Sequence, residues 1–108
     1  MIELDLHTDA PAAAIAITAT ATAAGGFVSA GPCELFQGGA IPATSNLNHM
    51  AGQTVTNLAL VELDAGRVCL FTLASAHLIV DVQAELTEEH EIGLSPVIPT
   101  RVHDSRTD

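Results

Sequence analysis

The sequence predicts an all-β protein: an antiparallel β-sandwich or jelly-roll-like single domain of about seven to nine strands. Three observations predict this fold class. The chain has 108 residues, which is the length of one ordinary domain. Its apolar and polar residues alternate with a period of two, which is typical of half-buried strands. No segment keeps the 3.6-residue period of an amphipathic helix.

The clearest strand is the segment AIAITATATA, residues 14–23. Ile15 and Ile17 share one face with alanines, and three threonines share the other face. Threonine is β-branched and fits the pleated outer face of a sheet. Two glycines then interrupt the pattern and residues 27–30 begin the next strand, so we expect a hairpin at this point.

The middle of the chain continues in the same way. Glycines and prolines between residues 31 and 42 indicate a loop, and a short extended piece, TSNLNHM, follows it. Residues 53–63 are predicted to form a further strand. The triplet Asp64–Gly66 predicts a compact turn, because its glycine is suited to a positive φ. The chain then returns as a strand in residues 67–73.

The last part of the chain sets the domain boundaries. Residues 77–86, HLIVDVQAEL, have the apolar core of a strand that is buried on both faces. We therefore assign residues 1–86 to the sandwich body and residues 87–96 to a linker or loop. Residues 97–108 are predicted to form a C-terminal strand that completes this domain or a neighbouring one.

The charge of the chain excludes several classes of partner. Three arginines and no lysine stand against thirteen acidic residues, which gives a net charge of −10. Such a charge repels phosphates, so we expect no nucleic acid and no anionic membrane surface as a partner. No apolar run is long enough for membrane insertion. Tryptophan and tyrosine are absent and there are three phenylalanines, so aromatic anchors for binding are few.

The two cysteines are Cys33 and Cys69, and they show no CxxC or His/Cys metal spacing. In a small β-rich domain two cysteines indicate one disulfide, and two buried free thiols are the alternative. A bond that closes a loop of this length stabilises a protein by about 3–4 kcal/mol. Because a disulfide needs an oxidising compartment, we expect an extracellular or cell-surface location, with the export signal outside this chain.

Residue types used in catalysis are present, but not in the spacing that catalysis needs. The chain has no Gly-x-Ser-x-Gly elbow and no glycine-rich loop for phosphate. We therefore expect no enzyme activity, no catalytic residue and no cofactor. The five histidines also lack metal-binding spacing: His7, His49, His77, His90 and His103.

Two kinds of binding site remain as alternatives. Calcium prefers hard oxygen ligands, and five aspartates offer them without an EF-hand or repeat-type loop: Asp5, Asp9, Asp64, Asp81 and Asp104. The run EEHE at residues 88–91 indicates a solvated charged surface or a weak cation site. Amide and hydroxyl side chains either bind the hydroxyls of a glycan or cap turns, and the candidates for such a ligand loop are Ser45, Asn46, Asn48 and Asn57.

Five short motifs follow one another in a fixed order: GFVSAGPC, TSNLN, AGQTV, GRVCLF and HLIVDV. Together they resemble a β-rich repeat, often in tandem, of secreted and cell-wall-associated proteins of actinobacteria and related bacteria. The pattern of that repeat is GFLTVYPCG, SNLN, GQTVAN, GKVCLYS and HLIVDVxGYF. The resemblance covers roughly residues 13–86. Phe71 stands where the repeat often has tyrosine, and VQAEL replaces its Gly-aromatic ending.

The segment PTRVHDSR, residues 99–106, resembles the PxRLxDTR segment that opens each repeat of that family. Here the segment closes the chain, so the chain resembles a repeat in a permuted frame, or one whose last strand belongs to a neighbouring unit. The resemblance implies an accessory or adhesive module without enzyme activity. It also places Cys33 and Cys69 in the paired PC and VC positions of the repeat, which implies that they are bonded.

Asp81 interrupts the apolar strand at residues 77–86, where an unpaired buried carboxylate is costly. On a regular strand it lies on the more polar face, whereas the opposite face carries Leu78, Val80, Val82 and Ala84. The resemblance implies a partner, because the pattern of the repeat holds both the VDV aspartate and the DTR arginine. We therefore expect a structural ion pair of Asp81 with Arg101 or Arg106.

These features predict a non-catalytic extracellular structural or adhesive β-sandwich module. It is expected to self-assemble through its C-terminal strand, by strand exchange into a homo-oligomer or filament, and whether that strand pairs in cis or in trans stays open. A cell-surface glycan is a further expected partner. The alternative is a glycan- or calcium-binding accessory module of a secreted or cell-surface protein.

Overall fold

A computed structural model describes residues 2–39, 46–73, 76–87 and 93–106. The elements of these residues are eight strands and one 3₁₀ segment: β1 (Ile2–Asp5), β2 (Ala12–Thr20), β3 (Gly26–Gly31), the 3₁₀ segment η1 (Cys33–Gly39), β4 (Leu47–His49), β5 (Val55–Glu62), β6 (Arg67–Thr72), β7 (His77–Thr87) and β8 (Gly93–Asp104).

The strands form two four-stranded antiparallel sheets that pack as a sandwich. Sheet A has the strand order β1-β6-β3-β4, and sheet B has the order β5-β2-β7-β8. One disulfide joins Cys33 to Cys69. The predicted all-β sandwich with one disulfide is therefore confirmed.

The core lies between the two sheets and is built from the inward residues of both. Ile15 and Ile17 of β2 are completely buried, as their alternation with threonine predicts. They pack in one cluster with apolar residues of sheet A, such as Val28, Val68 and Leu70. Alanine supplies much of the inner face of β2, and among the described residues the core cluster contains no aromatic residue.

The strand β2 ends at Thr20, although the alternation in the sequence continues to residue 23. Ala21 has a φ of 51°, which takes the chain out of the strand conformation. The buried hydroxyl of Thr22 then donates to Met50 O at 2.8 Å and lies 3.1 Å from Gln53 O. These contacts hold the connection against the loop between β4 and β5.

The prediction of a hairpin between residues 14–23 and residues 27–30 is wrong. The strand β2 pairs with β5 and β7 in sheet B, whereas β3 pairs with β4 and β6 in sheet A. The connection after Thr20 crosses from one layer to the other, because Ala21 turns the chain and Thr22 fixes it in the new direction. Period-two patterning shows which face of a strand is buried, but not which sheet the strand joins.

The turn predicted at Asp64–Gly66 is present and also connects the two sheets. Asp64 and Arg67 exchange backbone hydrogen bonds of 2.9 Å, and Gly66 has a φ of 81°. A Cβ atom at Gly66 would lie 2.5 Å from Thr8 O, so this position requires glycine for space as well as for φ. The carbonyl of Gly66 accepts from Leu6 N at 2.9 Å.

The C-terminal strand is longer than predicted. It begins at Gly93, four residues before residue 97, and it pairs with β7 of the same chain in antiparallel register. Residues 88–92, between the two strands, lie outside the described residues. The predicted alternation on β7 holds through Val82, but a bulge between Val82 and Ala84 brings Ala84 opposite Ala14.

Candidate functional site

The disulfide fastens η1 to the outer side of sheet A. Cys69 lies on β6 opposite Gly31 of β3, and Cys33 begins η1. Their Cα atoms are 4.8 Å apart. A Cβ atom at Gly31 would be in ordinary contact with Leu35 and Phe36, so the first turn of η1 lies over this glycine.

All three phenylalanines of the chain lie on this outer side and none lies in the core between the sheets. Phe36 of η1 is buried over Gly31. Phe27 and Phe71 lie side by side, with ring centroids 6.1 Å apart and an interplanar angle of 49°. Leu73 donates its backbone N–H to Phe27 O and exposes its side chain. We call the side chains of Phe27, Leu35, Phe36, Phe71 and Leu73 the aromatic face.

Asp81 and Arg101 are opposite each other in the ladder between β7 and β8. Arg101 Nε donates to Asp81 Oδ1 at 2.9 Å, and Arg101 Nη2 donates to Asp81 Oδ2 at 3.2 Å. The carboxylate is 23% exposed and the guanidinium side chain is 52% exposed. The hydrogen bonds and the charge of Asp81 raise the pKa of Arg101 above its usual value. The pair points away from the core.

Arg106 lies against Asp104 and not against Asp81. Its Nε and Nη2 atoms donate to the two carboxylate oxygens of Asp104 at 3.0 and 2.8 Å. Hydrogen bonding to Arg106 lowers the pKa of Asp104 from 3.8 to about 2, and the charge of Arg101, whose Nη1 is 3.6 Å away, acts in the same direction. The four residues Asp81, Arg101, Asp104 and Arg106 thus form one chain of ion pairs along the end of β8.

The predicted ligand loop is divided by the structure. Asn46 Oδ1 accepts from Ala30 N at 2.7 Å, and Asn57 Nδ2 donates to Asn46 O at 2.8 Å. These two contacts connect β3 and the start of β4 in sheet A to β5 in sheet B. Asn48 is exposed on β4, and Ser45 lies outside the described residues. Asn46 and Asn57 therefore use at least part of their hydrogen-bonding capacity to connect elements of the fold.

No three of the five aspartates considered for calcium, all of them within the described residues, form a cluster. Asp5 Oδ1 accepts from His7 N at 2.8 Å, and Asp64 lies in the turn with Arg67. Asp81 and Asp104 are neutralised by arginines. Across residues 2–39, 46–73, 76–87 and 93–106, no three His, Cys, Asp or Glu side chains are grouped so that they could hold a metal ion.

A serine–histidine contact is present that the sequence analysis missed. His77 Nδ1 lies 3.2 Å from Ser105 Oγ. The same hydroxyl accepts from Leu78 N at 2.8 Å, and Ser105 N donates to Leu78 O at 3.0 Å. Among the described residues no carboxylate is recorded in contact with His77, so the third member of a nucleophile triad is missing there. These contacts fasten the end of β8 to the start of β7.

An open cleft of about 500 Å³ lies beside the disulfide. Glu3, Asp64 and Arg67 supply charged groups of opposite sign to its wall, next to Phe36 and Gln37. Small-molecule sites are usually enclosed and mostly apolar, with a few convergent polar groups. The cleft lacks that enclosure, and its arginine already lies 3.9 Å from Glu3.

Comparison with known proteins gives no match to a protein family, to a curated protein or to a solved structure. None of the described residues form a helix with the length and hydropathy of a membrane span.

Proposed function

We propose that the protein is a non-catalytic extracellular structural or adhesive module that attaches through the aromatic face. The observation that carries this proposal is the position of the phenylalanines. Aromatic side chains are the largest apolar groups of the chain, and a sandwich normally buries such groups between its sheets. Here they lie on the outside of sheet A. Phe27 and Phe71 are only partly buried there, and Leu73 beside them is exposed.

The surroundings of this face support a role in attachment. Exposed apolar patches with polar borders are typical of interaction surfaces. The disulfide holds η1, and with it Leu35 and Phe36, in a fixed position on the same side of sheet A. A preformed surface loses little conformational freedom on binding, which favours affinity.

The extracellular location is supported by the disulfide and by the resemblance to repeats of secreted proteins. Disulfides persist in oxidising compartments and are rare in the cytosol. The absence of catalysis is supported by the use of polar groups: Asp81, Asp104 and Ser105 each contact groups of the fold itself. Self-association by exchange of β8 belongs to the same proposal, since its contacts with β7 would be retained between two copies.

Retention on a cell surface tests the proposal. Labelled full-length protein is incubated with actinobacterial cell-wall preparations, and the bound fraction is compared with that of the variant Leu73→Ser. Leu60→Ser is the matched control, because Leu60 is 63% exposed on sheet B and Leu73 is 60% exposed on sheet A. We expect Leu73→Ser to lose retention, and the control to keep it.

The alternative function gives a different result in the same assay. A glycan- or calcium-binding module would be released by a chelator or by soluble wall sugars, and it would be insensitive to Leu73→Ser. Asn48→Ala would then reduce retention, because Asn48 is an exposed member of the predicted ligand loop. Equal retention of all variants without release by sugar or chelator would contradict both functions.

A further inference from the structure

The two sheets have four edge strands, and three of them carry features that discourage pairing with another chain. Short edge strands, charges and prolines are known to do this. The strand β1 has four residues that include Glu3 and Asp5, and β4 has three residues. The strand β8 contains two prolines and an arginine. Each of these edges is therefore a poor template for a further strand.

The strand β5 is the exception. It has eight residues, VTNLALVE, with no proline, no basic residue and one charge at its end, Glu62. Leu58 and Leu60 expose most of their side chains on the outer face of sheet B. Among the described strands, β5 pairs only with β2. An edge that is long, carries a single charge at its end and is flanked by exposed leucines is a site where strands add.

The hydrogen bond of Leu63 shows which backbone groups face this free edge. Leu63 N donates to Pro11 O at 2.9 Å, so Leu63 faces the neighbouring segment of the chain. In an antiparallel ladder the N–H and C=O groups of a residue point to the same side, and the side alternates along the strand. The residues whose backbone groups face away from β2 are consequently Thr56, Leu58, Leu60 and Glu62.

We propose that a second copy of this chain pairs with β5 in antiparallel orientation, about a twofold axis at Ala59. The segment Leu58–Ala59–Leu60 has the same sequence in both directions. A twofold axis at Ala59 puts Leu58 of one copy opposite Leu60 of the other, and Thr56 opposite Glu62. This register pairs all four edge-facing residues within β5, whereas an axis at Leu58 or at Leu60 leaves a residue at one end of β5 without a partner inside it.

The register also suits the charges of the chain. The net charge of −10 opposes any self-association, so the contact must avoid bringing carboxylates together. Glu62 of each copy lies beside a threonine of the other copy, and the two Glu62 residues are at opposite ends of the ladder. They are then about 20 Å apart at ~3.4 Å per residue, which is more than the Debye length of about 10 Å at 0.1 M salt.

The side chain of Asn57 leaves this edge accessible. It reaches from β5 to Asn46 O at 2.8 Å and so closes the gap between the two sheets. Because Asn57 is adjacent to Leu58 in the strand, its own backbone groups point toward β2. The contact between sheets therefore uses none of the four residues that face the free edge. Two sandwiches joined here would share one eight-stranded sheet.

Sedimentation of the full-length protein over a concentration series tests this proposal, which does not depend on the proposed attachment function. We expect a species of twice the chain mass, and a larger dimer fraction when salt screens the net charge. Leu58→Lys should abolish the dimer, because a lysine on an edge strand blocks pairing. Leu73→Lys is the matched control on sheet A and should keep the dimer.

Cross-linking tests the register itself. Ala59→Cys puts two thiols opposite each other at the axis, in a non-hydrogen-bonded pair whose Cα spacing suits a disulfide. Val61→Cys is the control, since Val61 is also buried and would lie opposite Asn57 of the second copy. Oxidation should link most of the first variant into dimers and little of the second.

Each negative result contradicts the proposal. A full-length protein that stays monomeric at high concentration and high salt excludes the dimer. A dimer that persists in Leu58→Lys, or that leaves Ala59→Cys unlinked, lies at another surface.

Each variant must have the same circular dichroism spectrum as the parent protein. Leu60→Lys replaces Leu58→Lys in the experiment if Leu58→Lys does not fold. Exchange of β8 can be distinguished from pairing at β5, because dimers formed by exchange would persist in both Leu58→Lys and Leu60→Lys.

Discussion

Arg101 and Asp81 form a two-point ion pair across β7 and β8, at a position where the ladder is irregular on both sides. Register shifts occur between Val80 and Asp81 and between Val82 and Ala84. A bidentate arginine–carboxylate contact has a fixed geometry, so it defines the alignment of β8 between the two shifts. The aspartate in the apolar strand is therefore a group on the outer face that positions its neighbour.

Replacing the carboxylate of Asp81 should weaken the attachment of β8 to β7. Asp81→Asn keeps the shape of the side chain but removes the charge that holds Arg101, so we expect a modest decrease in the urea midpoint of unfolding. A double-mutant cycle with Arg101→Gln should show coupling between the two changes. Glu3→Gln is the control, because Glu3 and Arg67 are 3.9 Å apart and each is 54% exposed. Equal effects of Asp81→Asn and Glu3→Gln would show that the geometry adds nothing.

The pH dependence of stability should include a contribution from Asp104. Its pKa is about 2 in the folded protein and 3.8 without interactions. A group with a lowered pKa stabilises the fold above its unfolded value, and this contribution is lost as the pH falls from about 4 through about 2. Unfolding midpoints measured between pH 5 and pH 2 should therefore decrease less steeply in Asp104→Asn. Asp9→Asn, at an exposed aspartate between β1 and β2, is the control for loss of one carboxylate.

The disulfide should contribute more to stability than either the Asp81–Arg101 pair or the Asp104–Arg106 pair. Replacing both cysteines by alanine opens a loop with a sequence separation of 36 residues, for which chain entropy corresponds to about 4 kcal/mol. Urea unfolding with and without reductant measures this difference in the parent protein, and the double variant should be insensitive to reductant. Two alkylated thiols in the unreduced parent protein would contradict the bond.

His49 should be replaceable by an apolar residue without loss of stability. Its ring is buried at the edge of the core, and neither ring nitrogen has a hydrogen-bond partner among the described residues. An unsatisfied buried polar group costs about 1–3 kcal/mol, so His49→Leu should raise the free energy of unfolding. His77→Leu is the control and should give no such gain, since His77 is exposed and lies against Ser105. A clear loss in His49→Leu would indicate a further contact of the ring.

The sequence predicts the strands well because burial alternates along strands such as β5 and the second half of β2. The inward position of Ile15 and Ile17 follows from their spacing alone, and so does the outward position of Asp81. The assignment of strands to sheets does not follow, because it depends on the backbone of connections such as Ala21, whose positive φ no composition rule predicts for alanine. The expected hairpin fails for this reason.

The candidate functional surfaces are harder to predict from the sequence than the strands are. Phenylalanine in a β-rich chain is ordinarily assigned to the core, and only the covering of Gly31 by η1 shows that Phe36 lies on the outside. The choice between Arg101 and Arg106 as partner of Asp81 depends on an irregular register. The free edge of β5 is recognised from the order of strands in sheet B, which is a property of the whole fold.

The bond between Cys33 and Cys69 also has a mechanical consequence. If the module is pulled from its two ends, β1 and β8 can peel from their sheets, but the segment between the cysteines cannot be drawn out. A separation of 36 residues removes about 120 Å from the attainable length at ~3.4 Å per residue. A stretched array of such modules would then lengthen in short steps under oxidising conditions, and in longer steps once the bonds were reduced.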